Sequence, residues 1–180
     1  MQPIDELQLW LLSKMSATDR VAIARSRLGA SEHDMASAAA AVFDTPGHAA
    51  AEYASRLAPP LFEIELGRGD TADAFVGSIR RGYQLPLWPE VPLIVCEHPR
   101  GYAWGVEFEQ APGPSPIDLD AVAPWRCAAN ALTAAATTIE ILDRWTWDLE
   151  AILGFRTPAA VRRFRARFDV GLLQRWAEEH

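Results

Sequence analysis

The chain has 180 residues, a formal net charge of −7, and an apolar fraction of 49% beside 23% charged residues. These values are ordinary for a globular protein and exclude a disordered chain. No stretch approaches the roughly 18 uninterrupted apolar residues that a membrane helix needs, and the acidic N-terminus lacks the layout of a signal peptide. We therefore expect a single cytoplasmic domain over residues 1–180, with no membrane association and with Cys96 and Cys127 as free thiols.

Charge is unevenly distributed along the chain. Residues 61–150 carry 6 basic and 14 acidic residues, a charge of −8, whereas residues 151–180 carry 6 basic and 3 acidic residues, a charge of +3. An acidic middle disfavours the phosphates of a nucleic acid as a partner and favours a basic protein. The charge distribution therefore predicts a basic protein partner and no nucleic acid.

The first 58 residues predict an all-helical region. Pro3 followed by Asp5 and Glu6 is typical of a helix start, and apolar residues recur after it at helical spacing. Capping residues and helix-breaking glycines and prolines then divide the region into four helices. The second, third and fourth of these are predicted to begin after Ser16, Ser31 and Thr45.

The middle of the chain predicts a small sheet. Residues 61–66 and 102–109 alternate apolar and polar side chains, which indicates strands with one buried face, and Trp104 and Phe108 lie on the apolar side. Residues 91–97 form a nearly continuous apolar run, typical of a more central strand. A Pro-Arg-Gly loop between the last two suits a hairpin. We predict a small, mainly antiparallel three-stranded sheet.

Helices are predicted to cover this sheet. A short one is expected from about residue 70 to 81, and an alanine-rich one from 117 to 147, within a central segment that spans residues 61–147. The last segment, residues 155–178, is predicted to form the C-terminal helices. The first of these carries Arg162, Arg163, Arg165 and Arg167 between apolar residues spaced i, i+3, i+7. The predicted fold class is therefore α+β, with a helical N-terminal region, the covered sheet and C-terminal helices.

The role of the four arginines is open at this stage. They can form a solvated helix face, pair with the acidic middle of the same chain, or hold a phosphate or an acidic partner.

Four glutamates form the first candidate site. Glu63 and Glu65 share one face of their predicted strand, and Glu107 and Glu109 share one face of theirs. If the two strands lie close together, four carboxylates gather on the exposed face of the sheet. Such a face is a solvated surface, a binding surface for a basic partner, or a metal or acid/base site.

Trp88 is the second candidate. It lies among the prolines at positions 86, 89 and 92, in a segment that reads as too proline-rich for regular structure. A partly exposed tryptophan held by rigid prolines is typical of a binding anchor. A lid over the sheet is the other interpretation.

Metal, cofactor and catalytic motifs are not found. Cys96 and His98 lie two residues apart, but the sequence has neither a C-x-x-C nor an H-x-x-x-H pair. It also has no G-x-S-x-G motif and no phosphate-binding glycine loop. We therefore assign no metal, cofactor or catalytic residue.

These observations favour a cytosolic protein-binding module, in its concrete form a bacterial immunity- or antitoxin-like inhibitor. Such an inhibitor would block the basic cleft of a partner protein, for example a toxin domain, with its own carboxylates. The alternative is a small carboxylate-dependent enzyme, with or without a divalent ion. The oligomeric state is left open. The predicted partner-binding residues are Trp88, Glu63, Glu65, Glu107 and Glu109.

Overall fold

The computed structural model describes residues 3–43, 60–66, 76–111, 117–144 and 148–179. The predicted helix after Thr45, and the predicted helix at 70–81 as far as residue 75, lie outside these ranges. The described residues form four helices and two four-stranded antiparallel sheets. The helices are α1 (Pro3–Ser13), α2 (Thr18–Arg27), α3 (Glu32–Phe43) and α4 (Ala129–Ala135). The strands are β1 (Phe62–Glu65), β2 (Ile79–Leu85), β3 (Trp88–Glu97), β4 (Ala103–Phe108), β5 (Thr138–Arg144), β6 (Asp148–Arg156), β7 (Val161–Asp169) and β8 (Leu172–Glu179).

The chain divides into two compact units. The first consists of Met1–Ser13 and Thr18–Glu107, and the second of Lys14–Ala17 and Phe108–His180. The first unit holds α1–α3 and the sheet β1–β4, except for Phe108, the last residue of β4, which belongs to the second unit. The second holds α4 and the sheet β5–β8. Whether the units unfold together, as a single domain would, stays a prediction.

Helix α1 is buried on all sides. Every residue from Leu7 to Leu12 is buried, including Gln8. A helix that is apolar all round belongs in a core rather than on a surface. The Oε1 atom of Gln8 accepts a hydrogen bond of 2.9 Å from the backbone N–H of Leu87, so this buried polar group ties α1 to the turn between β2 and β3.

The first sheet has the strand order β1-β2-β3-β4, one strand more than predicted. The additional strand, β2, includes residues that were predicted to end a helix near Arg81. Strand β3 is the most deeply buried, since Val91, Leu93 and Ile94 are at most 2% exposed. A strand buried on both faces explains why this stretch is a continuous apolar run.

The prolines of β3 lie where its pairing with β2 is irregular. Tyr83 pairs with Leu93 and Leu85 with Trp88, and the register shifts between these pairs. Pro89 and Pro92 both fall inside that interval, where a missing N–H does not interrupt a regular ladder. The proline-rich segment is therefore compatible with a strand, and the prediction that it has no regular structure is wrong.

The second sheet is an antiparallel meander with the order β5-β6-β7-β8. It replaces most of the predicted long helix and both C-terminal helices. Phe164, Ala166 and Phe168 point into one core at strand spacing, together with the apolar residues of β6. The i, i+3, i+7 pattern begins with Val161, whose side chain is 54% exposed. Apolar residues in this segment therefore recur at every second position, as in a strand. The predicted fold, a three-stranded sheet covered by helices, is wrong.

A tight turn completes this sheet. Asp169 pairs with Leu172, so β7 and β8 are joined by two residues, Val170 and Gly171. Both have positive φ, 50° and 74°. Positive φ at both central residues is the signature of the primed turns that join antiparallel strands. The prediction of C-terminal helices over residues 155–178 overlooked Gly171 as a hairpin signal.

Candidate partner-binding surface

The four predicted glutamates lie at opposite edges of the first sheet. Glu63 and Glu65 are exposed on β1, while Glu107 is exposed near the end of β4 and Glu109 follows it, partly buried. Strands β2 and β3 lie between them. At the usual strand spacing this separates β1 from β4 by about 14 Å. The structure therefore does not gather the four carboxylates.

The two strands also present their glutamates on different faces. Glu63 pairs with Arg81 and Arg81 with Val95, so these three residues share one face. Cys96 is on the other face, and Gly105 lies against it, with its Cβ position 3.6 Å from the Cβ of Cys96. Glu107 is two residues from Gly105 on β4 and so shares the face of Cys96.

Glu63 is part of an ion-pair group. The Nε atom of Arg81 lies 2.7 Å from Oε2 of Glu63, and its Nη1 atom forms an ion pair with Glu97. The hydrogen bonds to Glu97 and then to Glu63 raise the pKa of Arg81, so this guanidinium is charged throughout. Glu63 therefore shares the single positive charge of Arg81 with Glu97.

Trp88 is buried, with 1% of its surface exposed. It begins β3 and pairs with Leu85 rather than standing between rigid prolines in a loop. A side chain this deeply buried cannot contact a partner without unfolding. The prediction that Trp88 is a partly exposed anchor is therefore wrong.

The hairpin of β3 and β4 holds Trp104 and Phe108, the two aromatic residues that the alternation of strand β4 predicted on the apolar face. Phe108 is buried and Glu107 is exposed, as the alternation predicted. Trp104 is only partly buried, and its Nε1–H donates a hydrogen bond of 3.3 Å to Oγ of Ser78. The hydrogen bond gives the polar end of this tryptophan a partner at the edge of the sheet.

The four arginines lie on strand β7 and each pairs with acidic residues of the same chain. Arg163, Arg165 and Arg167 share the face away from the core, where they contact Glu140 at 2.9 Å, Glu150 at 2.7 Å and Asp169 at 3.1 Å respectively. Arg162 is on the other face and contacts Glu178 at 2.8 Å and Asp120 at 3.0 Å. Of the interpretations left open by the sequence, the structure supports internal pairing.

The surface that stands out in the second unit is strand β5. It is an edge strand, and all seven of its residues are exposed. Three are large aliphatic residues: Ile139 is 48% exposed, Ile141 54% and Leu142 41%. We call this strand, with its unpaired side, the β5 edge. The alternation Thr-Ile-Glu-Ile and its β-branched residues were a strand signal that the surrounding alanines concealed.

The opposite edge of the same sheet is covered where β8 begins. The backbone of Leu173 donates a hydrogen bond to Cys127 and accepts one from Trp125, at 2.9 and 2.8 Å, and Ala128 forms a bridge with Leu172. Segment 125–129 therefore covers the beginning of this edge. Among the described residues, no comparable segment pairs with β5 on its open side.

Carboxylates lie on the outer face beside the β5 edge. Glu140 pairs across the sheet with Ile152 and Asp143 with Glu150, so Glu140, Asp143 and Glu150 share the face opposite the core. Asp148 lies on the same face; burial and then the charge of Asp169 raise its pKa. Glu140 remains 60% exposed despite its ion pair with Arg163. The β5 edge therefore carries aliphatic side chains on the face of the sheet that packs on the core, and acidic side chains on the outer face.

The described residues offer neither a metal site nor a membrane-spanning helix. Within the described ranges, no group of three or more His, Cys, Asp or Glu side chains is placed to hold a metal ion. Neither Cys96 nor Cys127 is in a disulfide. Over the same part of the chain, no helix has the length and apolar character needed to cross a membrane.

Comparison of the chain with protein-family models, with curated proteins and with solved structures gave no match.

Proposed function

We propose that the protein is a cytoplasmic protein-binding module that contacts its partner through the β5 edge. The observation that carries this proposal is the exposure of Ile139, Ile141 and Leu142, between 41% and 54%, on an edge strand whose open side pairs with no segment that the structure describes. Scattered exposed apolar residues are normal, but a contiguous group on an open edge favours a protein contact. Aliphatic side chains at such a position lose little on being buried by a partner and gain by leaving water.

The charge of the chain favours a basic partner. The net charge is −7, and Glu140 and Asp143 lie on the outer face of β5 itself. Carboxylates at the margin of an apolar patch raise the association rate with a basic surface and discourage acidic ones. The concrete version of the proposal is an immunity- or antitoxin-like inhibitor that covers a basic functional surface of its partner.

The glutamates predicted from sequence have a smaller part in this proposal. Glu65 and Glu107 are exposed in the first unit and contribute to attraction through their charge. Glu63 belongs to the first sheet and not to the β5 edge, and Trp88 is buried, so neither is assigned a contact. A carboxylate-dependent enzyme would need converging acids, which these four do not provide because they lie on opposite edges and faces.

The test is affinity capture with a variant that removes the aliphatic surface. Ile139→Ser/Ile141→Ser should abolish recovery of a stoichiometric partner from native lysate, because it removes both large side chains from the centre of the contact. Ile64→Ser is the matched control, since Ile64 is an isoleucine that is 50% exposed on β1, an edge strand of the other sheet. It should leave capture unchanged.

Folding of each variant is checked by circular dichroism, and exposed positions of this kind should change stability by roughly 0.5 kcal/mol or less. Equal recovery by the double variant and the wild-type protein would remove the β5 edge from the proposal.

A further inference from the structure

We infer that the β5 edge takes up an extended segment of its partner as a fifth strand, in which apolar and basic side chains alternate. This inference rests on the proposed function and specifies how the binding is done. It commits to a basic, strand-forming segment of another protein, and the β5 edge determines the residue pattern of that segment.

The backbone of β5 is suited to strand addition. From Thr138 to Ile141 its pairing with β6 is regular, from Thr138 opposite Gly154 to Ile141 opposite Ala151. In an antiparallel ladder only every second residue directs its N–H and C=O groups to a given neighbour. The remaining groups of β5 therefore point towards the open side, where an added strand would pair with them.

The core side of β5 selects apolar residues. Ile139 pairs with Leu153 and Ile141 with Ala151, and both partners belong to the core of the second unit. The two isoleucines thus extend the core face beyond the last covered strand, half exposed. Residues directly opposite them on an added strand would share this face, where apolar side chains bury the exposed surface.

The outer side of β5 selects basic residues. Glu140, between the two isoleucines, lies on the opposite face and is 60% exposed. Asp143 lies on that same outer face after a register shift between Ile141 and Asp143. A lysine or arginine opposite Glu140 would be favoured, and an acidic residue there would be repelled.

This pattern favours a different protein over a second copy of the same chain. A second β5 strand would bring its own Glu140 and Asp143 to an outer face that is already acidic, and pairing centred on Glu140 would set the two Glu140 side chains directly opposite each other. The register shift also interrupts the regular ladder after four residues, which limits edge-to-edge association. The match is therefore to a short basic segment.

The experiment uses synthetic peptides about eight residues long, a usual strand length. One alternates Val and Lys, one alternates Val and Glu, and one repeats the Val-Lys sequence with every second backbone nitrogen methylated. Binding to the full chain is measured by fluorescence anisotropy, and protection of individual amides by hydrogen exchange. We expect saturable binding of the Val-Lys peptide, slower exchange at alternate residues of Thr138–Ile141, and affinity reduced at least about tenfold by methylation.

A charge exchange gives the matched control. Glu140→Lys should weaken binding of the Val-Lys peptide and strengthen that of the Val-Glu peptide, each by roughly threefold to tenfold. If Glu140 only supported the local structure, Glu140→Lys would not reverse the preference for the Val-Lys peptide over the Val-Glu peptide. Ile64→Ser, on the edge strand β1 of the other sheet, should change neither affinity.

The outcomes separate this inference from the proposed function. Equal binding of the methylated peptide, or no binding of any peptide, would overturn strand addition even if partner capture still depends on Ile139 and Ile141. Conversely, the peptides could bind as expected while Ile139→Ser/Ile141→Ser leaves partner capture unchanged. That result would support strand addition at the β5 edge and overturn the proposed function. Dimerisation of the chain that Ile139→Ser/Ile141→Ser abolishes would replace the basic partner by a second copy.

Discussion

The two sheets of this protein bury their strands in different ways. In the first, Leu93, Ile94 and Val95 are consecutive and each at most 2% exposed, so the middle of β3 is covered on both faces. In the second, Phe164 and Ala166 are buried, while Arg165 between them is half exposed among acidic partners. A sheet covered on both faces has little surface to offer a partner. The second sheet is also buried over Ala151–Phe155 of β6, but β5 and β7 keep charged side chains exposed on its outer face, and the β5 edge is the proposed contact.

The largest effects are expected from the most buried aromatic residue of each sheet. Trp88→Ala in the first unit and Phe168→Ala in the second should each lower the free energy of unfolding by about 3–5 kcal/mol, because each leaves a large cavity. Both residues are at most 1% exposed. Denaturant unfolding followed by tryptophan fluorescence and by circular dichroism measures the change.

The same pair of variants tests whether the chain is a single domain. If it is, each variant shifts one cooperative transition seen by both probes. If Phe168→Ala lowers the midpoint of one partial transition and Trp88→Ala that of another, the two units unfold separately and the single-domain prediction is wrong.

The next effect contrasts the ion pairs of the two sheets. Arg81 is 21% exposed and contacts Glu63 and Glu97, so Arg81→Gln leaves two carboxylates in a partly buried site and should cost about 1–2 kcal/mol. Arg163 is 52% exposed beside Glu140, and Arg163→Gln should cost less than about 0.5 kcal/mol. Chemical denaturation of both variants at low salt measures the difference. Equal losses of unfolding free energy would mean that burial does not make the ion pairs of Arg81 more stabilising than that of Arg163.

A smaller effect is expected at the turn of the second sheet. Gly171 has a φ of 74°, so Gly171→Ala forces a side chain into the left-handed region and should cost about 1 kcal/mol. Gly105→Ala in the first sheet is the control, because its new Cβ would meet Cys96 at an ordinary 3.6 Å. It should change the melting temperature by no more than a degree or two. A larger loss for Gly105→Ala than for Gly171→Ala would contradict this account of the turn.

The smallest expected effect is a pH dependence on the outer face of the second sheet. Burial and the neighbouring Asp169 raise the pKa of Asp148, so the folded protein binds this proton more tightly than the unfolded chain. Its contribution to stability is therefore present at low pH and is lost as the pH rises from about 4 through the raised value. Asp148→Asn should remove that decline, which is visible as a flatter plot of unfolding free energy against pH. An unchanged slope would show that Arg167 offsets the burial.

Local sequence patterns predicted the elements in which the spacing of apolar residues matches the face or faces that are buried. The helical spacing after Pro3 corresponds to α1, and the apolar run at 91–97 corresponds to most of β3. The alternation at 102–109 placed Phe108 inside and Glu107 outside. These features depend on neighbouring residues only, and one buried face or a completely buried stretch leaves the same signature in any fold.

The C-terminal half could not be predicted in this way because its pattern fits two periods. Val161, Phe164 and Phe168 match a helix, whereas Phe164, Ala166 and Phe168 match a strand. The small Ala166 weakened the strand signal, although in the structure it is completely buried between the two phenylalanines. Pairing with β6 and β8 decides between the periods, and that pairing is invisible to a local window.

The sequence by itself determined the helices α1–α3, the β3–β4 hairpin and the excess of acidic residues. The tertiary structure alone decided that Glu63 and Glu107 lie on opposite faces, that Trp88 is buried, and that β5 is an open edge. The physical reason is that face, burial and edge are properties of strand order and register. These arise from hydrogen bonds between residues far apart in the chain, and a shift of one residue in register moves every side chain to the other face.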